Sequence, residues 1–243
     1  MKKLSFAAII MAFLFLSSCA GLEGLSLGNT NSSGNSNASG GLTNSEVIRG
    51  LKEALKIGSQ NASKTLSAKD GFLRDAAVKI LLPPEAQQVE KTLRSIGMGS
   101  LVDDAITSMN RAAEDAAVKA APIFVNAITS MTITDGMNIL RGGDNAATNY
   151  LKGKTTTQLT NAFRPVIQSS LTKIGTEKIW ASVFNTYNKL PTVKNKINPD
   201  LTGYVTERAL AGLFLKVGNE EAKIRKDPAA QVTDILRKVF GNK

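Results

Sequence analysis

Apolar residues recur at helical spacing along almost the whole chain from Leu42 onward, and this pattern restricts the fold more than any other feature. In the first predicted helix, Asn44 or Ser45 is placed to cap the N-terminus. The apolar stripe of that helix consists of Val47, Leu51, Ala54, Leu55, Gly58 and Ala62. A half-buried β-strand needs sustained alternation of apolar and polar residues, and the sequence shows none. We predict an all-α fold, a single multi-helix domain of about eight to nine helices over residues 43–243.

Glycine and proline residues mark where the predicted helices begin and end. The first helix ends at Asp70-Gly71, and Pro83-Pro84 opens a second helix that ends at Gly97. A long helix is predicted over residues 101–131, and we expect Pro122 to kink it because proline has no N–H and clashes with the preceding turn. The remaining predicted helices, some of them short, cover residues 134–140, 144–151, 156–174, 177–190, 201–224 and 229–240.

The first eighteen residues are organised like an export signal. Lys2 and Lys3 form a positive start, and the apolar run over residues 4–16 is too short to span a bilayer. The run closes with Leu16-Ser17-Ser18-Cys19, which resembles the lipobox of bacterial lipoproteins, where the cysteine is acylated after cleavage. We predict a cleaved signal peptide over residues 1–18 and an acyl anchor on Cys19, which would attach the chain stably to a membrane. The alternative is an ordinary cleavage site that happens to lie beside a cysteine.

A polar segment separates Cys19 from the first predicted helix. Residues 28–41 are all Gly, Asn, Ser or Thr except Ala38. Because this composition cannot bury apolar surface, we predict that residues 19–42 form a disordered, flexible tether with a reach of roughly 20 Å. Ala20 is similar to the residues that direct enterobacterial lipoproteins to the outer membrane. We therefore expect a lipid-anchored protein of the cell envelope, on the outer membrane and facing the periplasm.

The chain has no histidine and only one cysteine, and these counts exclude several kinds of chemistry. Without histidine there is no Ser-His-Asp or Cys-His catalytic set, no histidine base and no ordinary zinc site. With Cys19 acylated, neither a disulfide nor a catalytic thiolate is available. We expect no metal ion and no cofactor, so any catalysis would depend on carboxylates, Lys, Tyr, Ser or Thr.

Glu221 occupies a place in the apolar stripe of a predicted helix. The apolar members of this stripe are Leu210, Phe214, Val217 and Ile224. Burying a carboxylate is costly unless it is paired, and Arg225, one turn further on, is a suitable partner. Glu221 is therefore either a pocket carboxylate acting as an acid, a base or a ligand contact, or half of a structural ion pair. We favour the structural interpretation.

A second polar group lies within the long predicted helix. Asn110 with Glu114, and Arg111 with Asp115, are neighbours at i,i+4 spacing. The alanines beside them allow another helix to approach closely, so we favour interhelical hydrogen bonding over a ligand site. The Glu-x-x-His motifs of di-metal bundles are absent, which argues against a metal site here.

A third polar group surrounds the glycine pair Gly142-Gly143. Arg141 and Asp144 flank the pair, and Asp135, Thr148 and Tyr150 lie nearby in the sequence. Backbone N–H groups that lead into a helix can bind an anion, and Arg141 would reinforce this. Asp144 is also a natural N-cap that would occupy those donors, so we favour a tight turn between helices.

Positive charge is concentrated between Asn145 and Pro199, where eight basic residues accompany a single acidic one, Glu177. The formal charge of the whole chain is +10 and falls to +8 once Lys2 and Lys3 are removed with the signal peptide. Such a field attracts anionic lipid headgroups, lipopolysaccharide or acidic glycans, and the alternative is a solvated basic face without a partner. We do not expect nucleic acid as a partner, because the anchor would place the chain outside the cytoplasm. The oligomeric state stays open.

Several of these polar motifs together resemble a known family. They are Asp70-Gly71-Phe72, Asn110 to Glu114, Thr134-Asp135, Asp144 to Leu151, and Glu220-Glu221 with Ile224-Arg225. From Ser45 to Phe240 the chain is similar to the bacterial family catalogued as domain of unknown function 4197. This resemblance implies a helical, exported and often lipid-anchored protein. It implies no activity, substrate or catalytic residue.

Three functions are compatible with these features. The first is a non-enzymatic binding or interaction module that has a polar-lined groove between helices. The second is a carboxylate-dependent hydrolase acting on an envelope glycan or lipid, which would need paired carboxylates across an open cleft. The third is a purely structural envelope protein. We favour the binding module because the chain contains no recognisable catalytic set.

Overall fold

The computed structural model describes residues 43–189, 196–226 and 237, and over these residues it confirms the all-α prediction: a single helical domain in which no β-strand occurs. A short 3₁₀ helix spans Pro84–Ala86. The α-helices are α1 (Asn44–Ser67), α2 (Gln87–Ser95), α3 (Gly99–Ala117), α4 (Ala120–Thr129), α5 (Ile133–Arg141), α6 (Ala146–Ile174), α7 (Thr176–Tyr187) and α8 (Leu201–Lys226). The predictions for the signal peptide, Cys19 and the tether lie outside the described residues, as does the helix predicted over residues 229–240 except for residue 237.

Helix α1 is capped by Thr43, one residue before the predicted position. The Thr43 hydroxyl accepts the Glu46 N–H at 3.3 Å, and the Glu46 carboxylate accepts the Thr43 N–H at 2.9 Å. This reciprocal arrangement satisfies two of the N–H groups that a helix start leaves without partners. Asn44 is therefore the first helical residue and not the cap.

The long helix predicted over residues 101–131 corresponds to α3 and α4, which are divided only by Val118 and Lys119, two residues that keep helical backbone angles. Helix α3 ends at Ala117 and α4 begins at Ala120, with Pro122 in its first turn. Proline cannot donate to the carbonyl four residues earlier, and its ring clashes with that carbonyl. That residue is Val118, and the break falls there. The interruption therefore falls where a proline kink is expected, one turn before Pro122.

The two helices predicted over residues 144–151 and 156–174 form a single helix, α6, which continues through Pro165. Its buried face repeats every four residues through Leu151, Thr155 and Leu159. Thr155 is fully buried, and its hydroxyl donates to the Leu151 carbonyl at 2.6 Å. Because that hydroxyl is satisfied inside the helix, a threonine fits in the core and the helix does not end.

The core lies among five helices, which are α1, α3, α4, α6 and α8. Helices α6 and α8 run antiparallel in contact, α3 packs against both, and α1 packs against α8, α3 and α4. Phe124 of α4 meets Phe214 of α8 edge to face, with ring centroids 6.0 Å apart. Between α1 and the 3₁₀ helix the chain has no regular helix, yet Phe72 and Ile80 in this segment are fully buried.

No single helix among the described residues is both long and apolar enough to cross a bilayer. The bent pair made of Gly99–Thr129 and Ile133–Arg141, with 105° between its parts, meets the criteria of length and composition when taken together. These helices supply much of the buried core, and core helices of soluble proteins meet the same criteria. In the described ranges no cluster of three or more His, Cys, Asp or Glu side chains could hold a metal ion.

Candidate functional site

Asn110 of α3 holds the irregular segment that follows α1. Its carboxamide oxygen accepts the Ile80 N–H at 2.8 Å, and its Nδ2 donates to the Ile80 carbonyl at 2.8 Å and to the Ile106 carbonyl at 2.7 Å. Asn110 and Ile80 are both fully buried. One side chain thus satisfies both backbone groups of a residue that has no helix or sheet to satisfy them.

Glu114, one turn further along α3, holds the start of the same segment. Its Oε1 accepts the N–H groups of Phe72 and Leu73 at 3.1 and 3.2 Å, and its Oε2 accepts Arg111 at 2.6 Å. Arg111 also donates to Asp70 at 2.6 Å, which lowers the pKa of the Asp70 carboxyl below its usual value. Asp70 itself has a left-handed backbone with φ of 70°, which places the chain in a tight turn.

Glu221 of α8 makes the corresponding contacts at the start of α6. Its carboxylate accepts the N–H of Ala147 at 3.1 Å and that of Thr148 at 2.9 Å, together with the Thr148 hydroxyl at 2.7 Å. Arg225 approaches the same carboxylate at 2.8 Å and donates to the Ile139 carbonyl at 3.1 Å. Glu221 is 6% exposed. The partner expected from the sequence is the partner observed.

These contacts argue against a catalytic role for the two buried glutamates. The side chains of Glu114 and Glu221 are each 5% exposed, and each accepts two consecutive backbone N–H groups and one arginine. Glycosidase chemistry requires two carboxylates that face a substrate across an open cleft. The carboxylates of Glu114 and Glu221 instead accept hydrogen bonds from backbone and arginine groups of the same chain. Both carboxylates therefore hold packed segments in place.

The other candidate residues predicted from the sequence do not lie beside Glu114 or Glu221. Asp135 is the third residue of α5 and completes a capping box with Thr132, which lowers the pKa of Asp135. Arg141 is exposed in the last turn of α5, and Asp144 is exposed and pairs with Lys226 at 3.3 Å. The predicted N-cap role of Asp144 is wrong. Asn145 is the N-cap of α6, but it has a left-handed backbone and its side chain makes no capping hydrogen bond. The Glu221 carboxylate accepts the first N–H groups of α6 instead.

Tyr150 lies apart from Glu221, at a shallow depression between α6 and the connection of α4 to α5. Burial raises the pKa of its hydroxyl, and the nearby Asp135 carboxylate raises it further. Lys154, one turn further along α6, places its ammonium 5.7 Å from the centre of the Tyr150 ring. Asp135 and Tyr150 are the two predicted candidates that share this depression.

A groove between α6 and α8 forms a concave surface with a volume of about 710 Å³. The α6 wall is polar and includes Asn149, Lys152, Thr156, Thr160 and Arg164. The α8 wall has an apolar stretch made of Leu210, Ala211, Phe214 and Leu215. We call this feature the α6–α8 groove.

The α6–α8 groove contains few of the residues chosen from the sequence. Asp144 and Thr148 line one end of it, and the others lie elsewhere. The sequence does carry a signal for the α6 wall, since Asn145, Asn149, Lys152, Thr156 and Thr160 follow one another at three- or four-residue spacing. Splitting α6 into two predicted helices concealed this row of side chains.

Comparisons with known proteins assign the chain to a family. The model of a family described as "Protein of unknown function (DUF4197)" matches residues 41–241. No curated protein and no solved structure matches the chain.

Proposed function

The chain belongs to the DUF4197 family, and we propose that it is a lipid-anchored, non-enzymatic binding module of the bacterial cell envelope. The observation that carries this proposal is the α6–α8 groove, whose volume of about 710 Å³ falls within the range of small-molecule sites. The lipobox-like sequence at Cys19 and the polar segment behind it support attachment to a membrane.

The two walls of the groove suit an elongated amphiphilic ligand. The Arg164–Asp200 ion pair at 2.8 Å and the Thr148–Glu221 bond mark the two ends of the antiparallel contact between α6 and α8. From Asn145 to Arg164 the α6 wall is about 28 Å long at 1.5 Å per residue. On the α8 side Leu215 remains 44% exposed, so a ligand with an apolar chain can cover it.

The groove is lined by two positive and two negative residues, which are Lys152, Arg164, Asp144 and Glu207. Lys152 and Leu215 line opposite walls of the groove, on α6 and α8. Arg164 and Asp144 pair with Asp200 and Lys226, which largely offset their charges. Glu207 lies about 12 Å along α8 from Leu215, at 1.5 Å per residue, which leaves the part of the groove near Lys152 and Leu215 for an anionic headgroup. The excess positive charge between residues 145 and 199 adds a long-range attraction for anions. We therefore propose that a single-chain anionic amphiphile binds with its headgroup near Lys152 and its acyl chain along α8.

Calorimetry on the chain from residue 20 onward would test this, after its circular dichroism has been matched to that of the full chain. We expect lysophosphatidylglycerol, below its micellar concentration, to bind more tightly than lysophosphatidylcholine. Leu215→Glu should weaken binding about tenfold or more, since it places a charge on the apolar wall. Val118→Glu is the matched control, because Val118 is 58% exposed and lies outside the groove. Absence of binding, or an equal loss in both variants, would contradict the proposal.

The membrane anchor has its own test. Labelling of cells with a radioactive fatty acid should mark the wild-type chain, and Cys19→Ser should abolish the label and release the chain from membranes. A labelled Cys19→Ser variant would show that the acyl group is attached elsewhere.

A further inference from the structure

The depression beside Tyr150 lies on a different face of α6 from the α6–α8 groove. Tyr150, Lys154 and Gln158 follow one another at four-residue spacing and form one wall. Asn126 and Ser130, at the end of α4, contribute to the other wall. The depression has a volume of about 370 Å³, enough for one or two sugar units within the usual range of binding sites.

The charges in the depression come as one opposite pair. Asp135 is ionised at neutral pH, because hydrogen bonds from the Thr132 hydroxyl and N–H, aided by the charge of Lys154, lower its pKa. Lys154 supplies one positive charge on the facing wall. An anionic ligand would be attracted by Lys154 and repelled by Asp135, and a cationic ligand the reverse, so neither sign of charge gains a net attraction. The pair therefore favours an uncharged ligand.

The remaining lining groups donate and accept hydrogen bonds. Asn126 and Gln158 are exposed carboxamides, each able to donate and accept at once. Ser130 adds a hydroxyl oxygen that can accept, since its proton is donated to the Asn126 carbonyl at 3.0 Å. The Tyr150 hydroxyl, whose pKa is raised by burial and by the Asp135 carboxylate, is protonated at neutral pH and can donate a hydrogen bond. A ligand that satisfies these groups must carry several hydroxyl or amide groups of its own.

Tyr150 also provides a half-buried aromatic ring at the same place. Aromatic rings with one polar end suit ligands that have both an apolar face and polar edges. A pyranose ring has this character, since its C–H groups form a face and its hydroxyls form a rim. The Lys154 ammonium near the ring is on an exposed, flexible side chain that can move aside to leave room for such a ligand.

We propose that the depression formed by Tyr150, Lys154, Gln158 and the α4–α5 connection binds a neutral saccharide unit, such as one found in an envelope glycan. The site is separate from the α6–α8 groove, because the two lie on different faces of α6 and share no lining residue. Failure of amphiphile binding in the groove therefore leaves this proposal standing, and the reverse is also true.

Saturation-transfer difference NMR on the full chain in nanodiscs tests the proposal, since it observes the sugar and tolerates a large particle. The probes are chitobiose and maltose, which are neutral and differ in their N-acetyl groups, and digalacturonic acid, which is anionic. We expect saturation transfer to at least one neutral disaccharide and weaker transfer to the anionic one. Stronger saturation transfer to chitobiose would indicate an N-acetylated glycan, and stronger transfer to maltose would indicate a plain hexose glycan.

Variants locate the site. Gln158→Ala should weaken binding of the better probe about fivefold, as expected for the loss of a direct hydrogen bond. Gln168→Ala is the matched control, because Gln168 is exposed on the same helix and lies outside the depression. Asn126→Ala, on the opposite wall, should act like Gln158→Ala. The proposal is overturned by absence of transfer to both neutral probes, by stronger binding of the anionic probe, or by equal effects of Gln158→Ala and Gln168→Ala.

Discussion

Glu221 of α8 caps the start of α6 through Thr148, accepting both its N–H at 2.9 Å and its hydroxyl at 2.7 Å. The N-terminus of a helix has free N–H groups and a partial positive charge, so a carboxylate there is favourable. In this protein the carboxylate comes from a residue 73 positions later in the chain. The cap of α6 is thus also a link between the two helices that form the groove.

The first prediction concerns Glu221→Ala. The substitution leaves Ala147 and Thr148 without an acceptor, and Arg225 without its carboxylate in a largely buried position. Removing one member of a buried ion pair costs about 3 to 5 kcal/mol. We expect urea denaturation to show a loss of that size. Glu207→Ala, on an exposed position of the same helix, should change the free energy of unfolding by less than about 0.5 kcal/mol. Similar losses in both variants would contradict the role assigned to Glu221.

The second prediction concerns Asn110→Ala, which removes both hydrogen bonds to the backbone of Ile80. Each buried backbone group left without a partner costs about 1 to 3 kcal/mol, so we expect a loss of about 2 to 5 kcal/mol in chemical denaturation. Limited proteolysis should also become faster between residues 70 and 82. Ser108→Ala is the control, because the buried Ser108 hydroxyl bonds only within α3, to the Asp104 carbonyl at 2.8 Å. If proteolysis is equally fast in both variants, Asn110 does not hold this segment.

The sequence was sufficient for features that depend on local periodicity and charge pairing. It predicted α8 from its apolar stripe and the pairing of Glu221 with Arg225 from their spacing, since one helical turn separates them. It also identified the Pro83-Pro84 start and the end at Gly97, whose φ of 82° suits glycine.

The sequence was not sufficient where a distant residue supplies the missing partner. Nothing local to Asp144 or Asn145 shows that the cap of α6 comes from Glu221, because that contact exists only in the folded chain. The continuity of α6 was missed because Thr155 interrupts the apolar stripe, and its internal hydrogen bond cannot be inferred from its residue type. The α6–α8 groove depends on both features, so its position could not be predicted.

The third prediction concerns pH. The hydrogen bond from Lys216 lowers the pKa of Asp75 despite the opposing effect of burial. Because the pKa of Asp75 is lower in the folded state than in the unfolded state, the ion pair stabilises the protein above the unfolded-state pKa of about 4. This stabilisation disappears as the pH falls through the folded-state pKa of Asp75. Asp75→Asn should therefore cost about 1 kcal/mol at neutral pH and progressively less below pH of about 4.

Stability measured in urea at a series of pH values tests this expectation. Lys216→Met removes the other partner and should show the same convergence with the wild type in acid. A difference that stays constant down to pH of about 2 would indicate that the Asp75 charge contributes nothing and that packing explains the loss.

The fourth prediction compares two glycines. Gly71 follows the left-handed Asp70 and precedes the N–H groups that Glu114 accepts. A Cβ on Gly71 would lie 2.7 Å from the Leu66 carbonyl oxygen and closer still to that of Thr65. Backbone atoms at the end of α1 cannot move aside as a flexible side chain could, so Gly71→Ala must displace the turn that carries Phe72. We expect a loss of about 3 kcal/mol, the upper end for overpacking.

Gly153→Ala provides the matched comparison, because a Cβ there meets no atom within 4 Å and the residue lies within α6. Alanine is the better helix former, so this variant should gain about 0.5 to 1 kcal/mol. The same substitution would then change stability in opposite directions at the two sites, and thermal unfolding of both variants can show this directly. A mild effect of Gly71→Ala would mean that the turn can relax, and the ion pair between Asp70 and Arg111 would then not be fixed by the close packing against α1.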